Sequence, residues 1–140
     1  MRVTATPARH GPVGIEPISG EVIGFVISSV KRGIDLAYVT GDTVWYAGTR
    51  EVAERFRPRV VLLFGGGAQV RGPFYLTMNT NDAVEAAAAF GEAVIVPVHH
   101  DGWAHFTQSQ EDLAKTFQAL GMGDRLRRVT GGETLRLGAR

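Results

Sequence analysis

Three of the four histidines lie in the stretch Val94 to Phe106, which reads VIVPVHHDGWAHF. His99, His100 and His105, with Asp101 and Trp103 among them, follow a wholly apolar run from Val94 to Val98. Imidazole titrates near neutral pH and is the commonest metal ligand. A group of imidazoles at the end of a buried strand therefore suits metal ligation or acid–base chemistry. The fourth histidine, His10, follows the short stretch VTATP, and Asp42 follows IDLAYVT. Two imidazoles and a carboxylate suit a divalent cation, zinc first, with manganese or iron as alternatives. The two oxygens of an aspartate can also face two different metals.

His10, Asp42 and His99 meet only if the segments before them run side by side in one direction. Five strands are predicted: Val3 to Pro7, Glu21 to Val30, Ile34 to Thr40, Val60 to Phe64 and Val94 to Val98. The last two are short, apolar and rich in β-branched residues, as strands buried on both faces are. Val13 to Gly20 reads as loop. The turn Lys31-Arg32-Gly33 makes the second and third strands antiparallel neighbours. Helices are predicted near Thr49 to Phe56, with Val52, Ala53 and Phe56 on one face, and from about Asn81 to Phe90. The candidate buried positions of the second are Ala83, Val84, Ala87 and Ala88. A third helix begins near Ser109 with a Ser-x-x-Asp capping box to Asp112, buries Leu113, Phe117 and Leu120, and stops at Gly121. The tail from Leu126 to Leu137 allows one or two short strands.

This order has a topological consequence. A meander of the first three strands makes the first and third parallel in direction. Helical connections from the third to the fifth imply parallel pairing. The C-terminal ends of four strands then share one sheet edge, where His10, Asp42, Gly65-Gly66-Gly67 and His99 follow. In open α/β sheets that edge is where ligands bind, and the glycines let backbone approach closely.

Bulk composition is consistent with a single domain over residues 1–140. The chain has 140 residues, 44% hydrophobic and 21% charged, with a net charge of +1. Lys and Arg are scattered, so no nucleic-acid or membrane surface is expected. Without cysteine there are no disulfides, thiolate zinc sites or cysteine nucleophiles. With no apolar span or signal-peptide pattern, a cytoplasmic location is expected.

Pro7-Ala8-Arg9-His10, Val39-Thr40-Gly41-Asp42-Thr43 and Val96-Pro97-Val98-His99 resemble the later motifs of the metallo-β-lactamase-fold hydrolases. Gly41 to Tyr46, Gly72 to Met78 and Gly102 to Phe106 are similar to the branch resembling ascorbate-6-phosphate lactonase. The resemblance implies an α/β chain forming half of an αββα sandwich, one mixed sheet with helices on one face. It makes His10 a ligand of a first metal, Asp42 the bridging and catalytic carboxylate, and His99 a ligand of a second metal. Trp103 and His105 would shape the substrate pocket. The family uses its metals to activate water against esters, lactones, amides or phosphodiesters.

The family's His-x-His-x-Asp-His motif is absent, so the chain resembles the C-terminal half alone. Its ligand set is incomplete by up to two ligands at the first metal and by an aspartate and a histidine at the second. Gly65-Gly66-Gly67 and Asn79 also depart from the branch. A half-sandwich leaves an apolar sheet face open, which rarely survives on a monomer. A homo-oligomer or a complementary N-terminal-half chain is the expected partner, with a small-molecule substrate. The functional expectation is a metal-dependent hydrolase of the ester, lactone or phosphoester class, incomplete without the other half. The alternatives are a non-catalytic remnant or assembly domain, and a small α/β binding domain unrelated to metals.

Overall fold

In the computed structural model, which describes residues 1–70 and 72–136, five strands form one sheet in sequence order. They are β1 (Arg2–Pro7), β2 (Ile23–Ser29), β3 (Ile34–Val39), β4 (Val60–Phe64) and β5 (Val94–Val98). β1, β2 and β3 form the antiparallel meander, and β3, β4 and β5 pair in parallel. The register sets Val39 beside Leu62 and Leu62 beside Val96. Four strands therefore deliver their C-terminal ends to one edge.

The helices are α1 (Glu16–Ser19), α2 (Ala47–Arg55), α3 (Thr80–Ala89) and α4 (Gln110–Ala119), with a 3₁₀ turn at Gly123–Arg125. The helix starts are written in local chemistry. Asn79 accepts from the Asp82 N–H at the head of α3, and Ser109 and Asp112 form the expected capping box on α4. At α2 the Thr49 hydroxyl accepts from the Tyr46 N–H and donates to the Tyr46 carbonyl.

Alternation along the strands gives the sheet two apolar faces. One face, with Val26, Tyr38, Val61, Leu63 and Ile95, packs against Val52 and Ala53 of α2, Ala83, Ala86 and Ala87 of α3, and Leu113 and Phe117 of α4. Phe56 and Val84 pack against that core while partly buried. Tyr38 lies against Phe90 at 5.2 Å between ring centroids. The opposite face is also apolar, and its register rows join Val3, Ile27 and Ala37, then Ala5, Phe25, Val39, Leu62 and Val96. Val3 and Ile23 on that face are more than half exposed. Helices α2, α3 and α4 all lie on the other side.

Several expectations are corrected. Val13 to Gly20 holds one helical turn, because Pro17 falls in its first turn, where a missing N–H costs nothing. β2 begins at Ile23, two residues after Glu21, and ends at Ser29. Leu120 is 55% exposed, since α4 ends at Ala119 before the residue can turn inward. Ala88 is exposed, and Ala86 takes the buried position instead. The tail from Leu126 to residue 136 forms no strand; only Leu126 makes an isolated bridge to Ile95. Leu137 lies outside the described residues.

Two outcomes follow from this packing. Phe117→Ala, at a fully buried position, should lower unfolding free energy by about 3–5 kcal/mol, whereas Leu120→Ala should change it by less than about 0.5 kcal/mol; denaturant melts of both variants check the contrast. Asp82 accepts a hydrogen bond from the Trp45 N–H at 3.3 Å, and burial raises its carboxyl above the usual range. A raised folded-state pKa means the folded chain binds the proton more tightly, so this carboxylate costs stability at neutral pH and the cost fades as pH falls toward 4. Asp82→Asn keeps an acceptor without the charge. Its stability advantage over the parent should therefore shrink between pH 7 and pH 4, measured by thermal melts across that range.

Candidate metal centre

The loops after β1, β3, β4 and β5 crowd the C-terminal sheet edge. Backbone hydrogen bonds tie the first two together. The Val44 N–H donates to the Arg9 carbonyl at 2.9 Å, and the Arg9 N–H donates to the Thr43 hydroxyl at 2.9 Å. Thr40, fully buried, receives the Phe64 N–H on its hydroxyl at 3.0 Å and so joins the end of β3 to the end of β4. The Gly65 N–H donates to the Val98 carbonyl, joining β4 to β5.

This frame brings Asp42 and His99 together. His99 Nε2 lies 3.4 Å from Asp42 Oδ1, and each side chain is about one-third exposed. Oδ1 itself is buried and accepts no hydrogen bond, so the contact is an ion-pair distance without hydrogen-bond geometry. An orphaned buried carboxylate oxygen is costly unless something positive completes it. Two ligands about 2.0–2.1 Å from one tetrahedral zinc stand roughly 3.3 Å apart. The observed separation fits that spacing.

His10 stands on the neighbouring loop. Its Nδ1 donates to the Ser19 carbonyl at 2.9 Å, because a carbonyl can only accept. That bond fixes the tautomer and leaves Nε2 as the lone-pair nitrogen, the arrangement of ligating histidines. Among the described residues, no group of three His, Cys, Asp or Glu side chains is placed to hold a metal ion. Asp42 and His99 are thus drawn together, and His10 is oriented nearby without completing a three-ligand cluster.

Among the described residues, His99 is the non-glycine residue with a left-handed backbone, at φ 60°. Aromatic contacts hold its ring. Phe106 meets it edge-on at 4.9 Å and Phe64 at 5.5 Å. His105 in turn meets Phe106 edge-on at 4.9 Å, and Trp103, 64% exposed, lies tilted against His105 at 5.7 Å. The two expected pocket residues are therefore joined to His99 through Phe106. His100 turns the other way into a cavity of about 10 Å³ with Leu63 and Leu113, and burial holds its imidazole below the usual range. Neither the left-handed His99 nor the Phe64–Phe106 clamp was expected from sequence. A histidine next to a glycine-rich partner loop was the available signal.

That partner loop sets a steric limit. Gly66 has φ +85°, and a β-carbon there would sit 2.9 Å from the His99 carbonyl oxygen and 3.1 Å from His100 Cα. Gly91, also left-handed, has open space around it. Gly91→Ala should cost only the conformational penalty of about 1–2 kcal/mol. Gly66→Ala adds a backbone clash and should cost more than Gly91→Ala, with the His99 ring resonances displaced in NMR spectra.

Comparison with known proteins places the chain. The model of the β-lactamase superfamily domain matches residues 1–100. YddR, a UPF0173 protein of Bacillus subtilis, is 28% identical over 96% of this chain and 52% of its own length. A UPF0173 metal-dependent hydrolase of Methanoculleus marisnigri is 29% identical over 99% of this chain and 58% of its own. The crystal structure of a possible metal-dependent hydrolase from Veillonella parvula superposes with a TM-score of 0.87 at 26% identity, covering 96% of this chain and 53% of that one. The chain thus spans little more than half the length of these relatives. The family match runs through all five strands and the Asp42–His99 pair, and the chain belongs to the β-lactamase superfamily.

Proposed function

We propose that this chain contributes part of the metal centre of a metal-dependent hydrolase, and that a second sheet supplies the rest. The observation that carries the reading is the buried, unsatisfied Asp42 Oδ1 at 3.4 Å from His99 Nε2. His99 and Asp42 would hold one cation between them. His10, whose Nδ1 is committed to the Ser19 carbonyl, would hold a second through Nε2. A divalent cation there, zinc first and manganese or iron as alternatives, supplies Lewis acidity toward a carbonyl or phosphoryl oxygen.

The chain's own residues do the remaining work. Asp42 would orient a nucleophilic water by accepting a hydrogen bond from it. Phe64 and Phe106 exclude bulk water from one side of His99 and hold its ring against rotation. Trp103 and His105 offer an exposed aromatic rim to a small substrate. The substrate class we propose is an ester, lactone or phosphoester, as in the lactonase-like branch that the motifs resemble. Relatives named as metal-dependent hydrolases support the reaction class.

We further propose that the chain corresponds to the C-terminal half of its relatives. Its share of their length and the placing of its motifs support this. A second copy or a complementary chain would cover the open sheet face, and a complementary chain would also bring the absent ligands. No helix among the described residues is long and apolar enough to cross a membrane. A cytoplasmic setting fits the proposal.

A second reading has its own support: the absence of a three-ligand group among the described residues favours a non-catalytic assembly domain that keeps the fold. One experiment separates the two. The chelator-stripped chain is equilibrated with zinc, and bound metal per chain and solution mass are measured together. Near-stoichiometric zinc in an assembled species, lost in Asp42→Ala and His99→Ala but kept in Trp103→Ala, is the expected result. An assembled chain that binds no zinc would leave the assembly reading alone. A metal-free monomer would overturn both.

A further inference from the structure

His10 is enclosed by its own neighbours. The Gly11 N–H donates to the Arg9 carbonyl at 3.1 Å, which makes His10 the middle residue of a three-residue turn. The Arg9 side chain closes the same turn from outside, with Nε donating to the Gly11 carbonyl at 3.0 Å. Gly11 has φ +102°, and a β-carbon there would sit 2.6 Å from Ile15 Cδ1, so the chain must leave this turn through a glycine. Two bonds between Arg9 and Gly11 thus leave the backbone of His10 little freedom.

The Arg9 side chain is itself braced from the Asp42 loop. Its guanidinium lies over the Tyr46 ring, 4.4 Å from the centroid and within the range of a cation–π contact. Tyr46 caps the start of α2, and its ring rests on Gly48 in the first turn of that helix. A β-carbon at Gly48 would fall 2.5 Å from Tyr46 Cζ and 2.7 Å from Cε2. Gly48 has no left-handed φ, so what it supplies is space for the ring. This side-chain brace adds to the backbone bonds that Arg9 makes with Thr43 and Val44. Lysine would not serve in place of Arg9. It has no donor at the position of Nε, and could not bond the Gly11 carbonyl while lying over the ring.

We infer that Arg9 is a positioning residue for the metal centre. Braced by Tyr46 and Gly48, it holds the turn at His10 so that Nδ1 meets the Ser19 carbonyl and Nε2 is presented to a cation. The cation's part rests on the reading of His10 as a ligand given above; the hold on the ring stands without it.

Long-range proton–nitrogen NMR spectra of the full chain, at pH 8 with chelator, read the tautomer of the His10 ring. The parent should show the Nδ1–H form. Arg9→Gln, Arg9→Lys and Tyr46→Leu should all lose this preference, and Tyr46→Phe, which keeps the ring face, should retain it. Arg50→Gln removes the neighbouring contact over Trp45 at 5.8 Å and should leave the His10 ring unmoved. Gly48→Ala separates positioning from stability, because alanine favours a helix over glycine. Its Tm should stay close to that of the parent while the displaced Tyr46 ring releases Arg9 and the tautomers mix. Zinc affinity, measured separately by competition with a chelating dye, should be about tenfold weaker or more in Arg9→Gln. A His10 ring that keeps its tautomer in Arg9→Gln and Gly48→Ala would overturn the inference. So would an equal loss in Arg50→Gln, or unchanged zinc affinity in Arg9→Gln. A parent that binds no zinc would remove the metal-centre reading alone, and the tautomer would still decide whether Arg9 holds His10.

Discussion

Parallel pairing of β3, β4 and β5 is the constraint on which the rest depends. Parallel neighbours need long connections, and here these are α2 with its linker and α3 with the glycine-rich loop before it. Those connections must return across one face, so the helices collect there and the chemistry-bearing loops collect at the strand ends. Asp42 and His99 are 57 residues apart in sequence, yet the ladder that sets Val39 against Leu62 and Leu62 against Val96 leaves them neighbours. A one-residue slip of β5 would turn Ile95 outward and dismantle both core and site.

The two sheet ends are chemically unlike. At one end an aspartate oxygen lies buried and unsatisfied beside an imidazole. At the other, arginine side chains line an open groove. The same parallel strands produce both, because β3, β4 and β5 all start at one edge and all end at the other. The length of the sheet keeps the Asp42–His99 pair and the arginine-lined groove apart.

Much of this was legible in the sequence. β4 and β5 are found at their expected bounds because all-apolar, β-branched runs flanked by Pro58 and by glycines leave little alternative. The shared edge for His10, Asp42 and His99 was legible too, since it follows from connection lengths. Features that arise only when distant segments touch were not. The left-handed turn at His99 answers to Gly66, and the bond from His10 to Ser19 needs a helical turn that Pro17 and flanking glycines disguise as loop. Leu120 continues the spacing of Leu113 and Phe117 on paper, but a helix that ends one residue earlier no longer carries it inward. The arginines looked scattered because, along the chain, they are.

The sheet face opposite α2, α3 and α4 has a consequence for how such a chain lives. Where apolar strands are covered only by association, folding free energy contains a term in concentration, and stability is a property of the population more than of the molecule. If the proposed partner covers that face, dilution would return Val3, Ile23 and Phe25 to water, and chaperones and proteases act on such surfaces. Its lifetime would then track the supply of whatever covers that face. Dosage, set by synthesis and turnover, would decide how much of the chain exists in a state able to do anything at all.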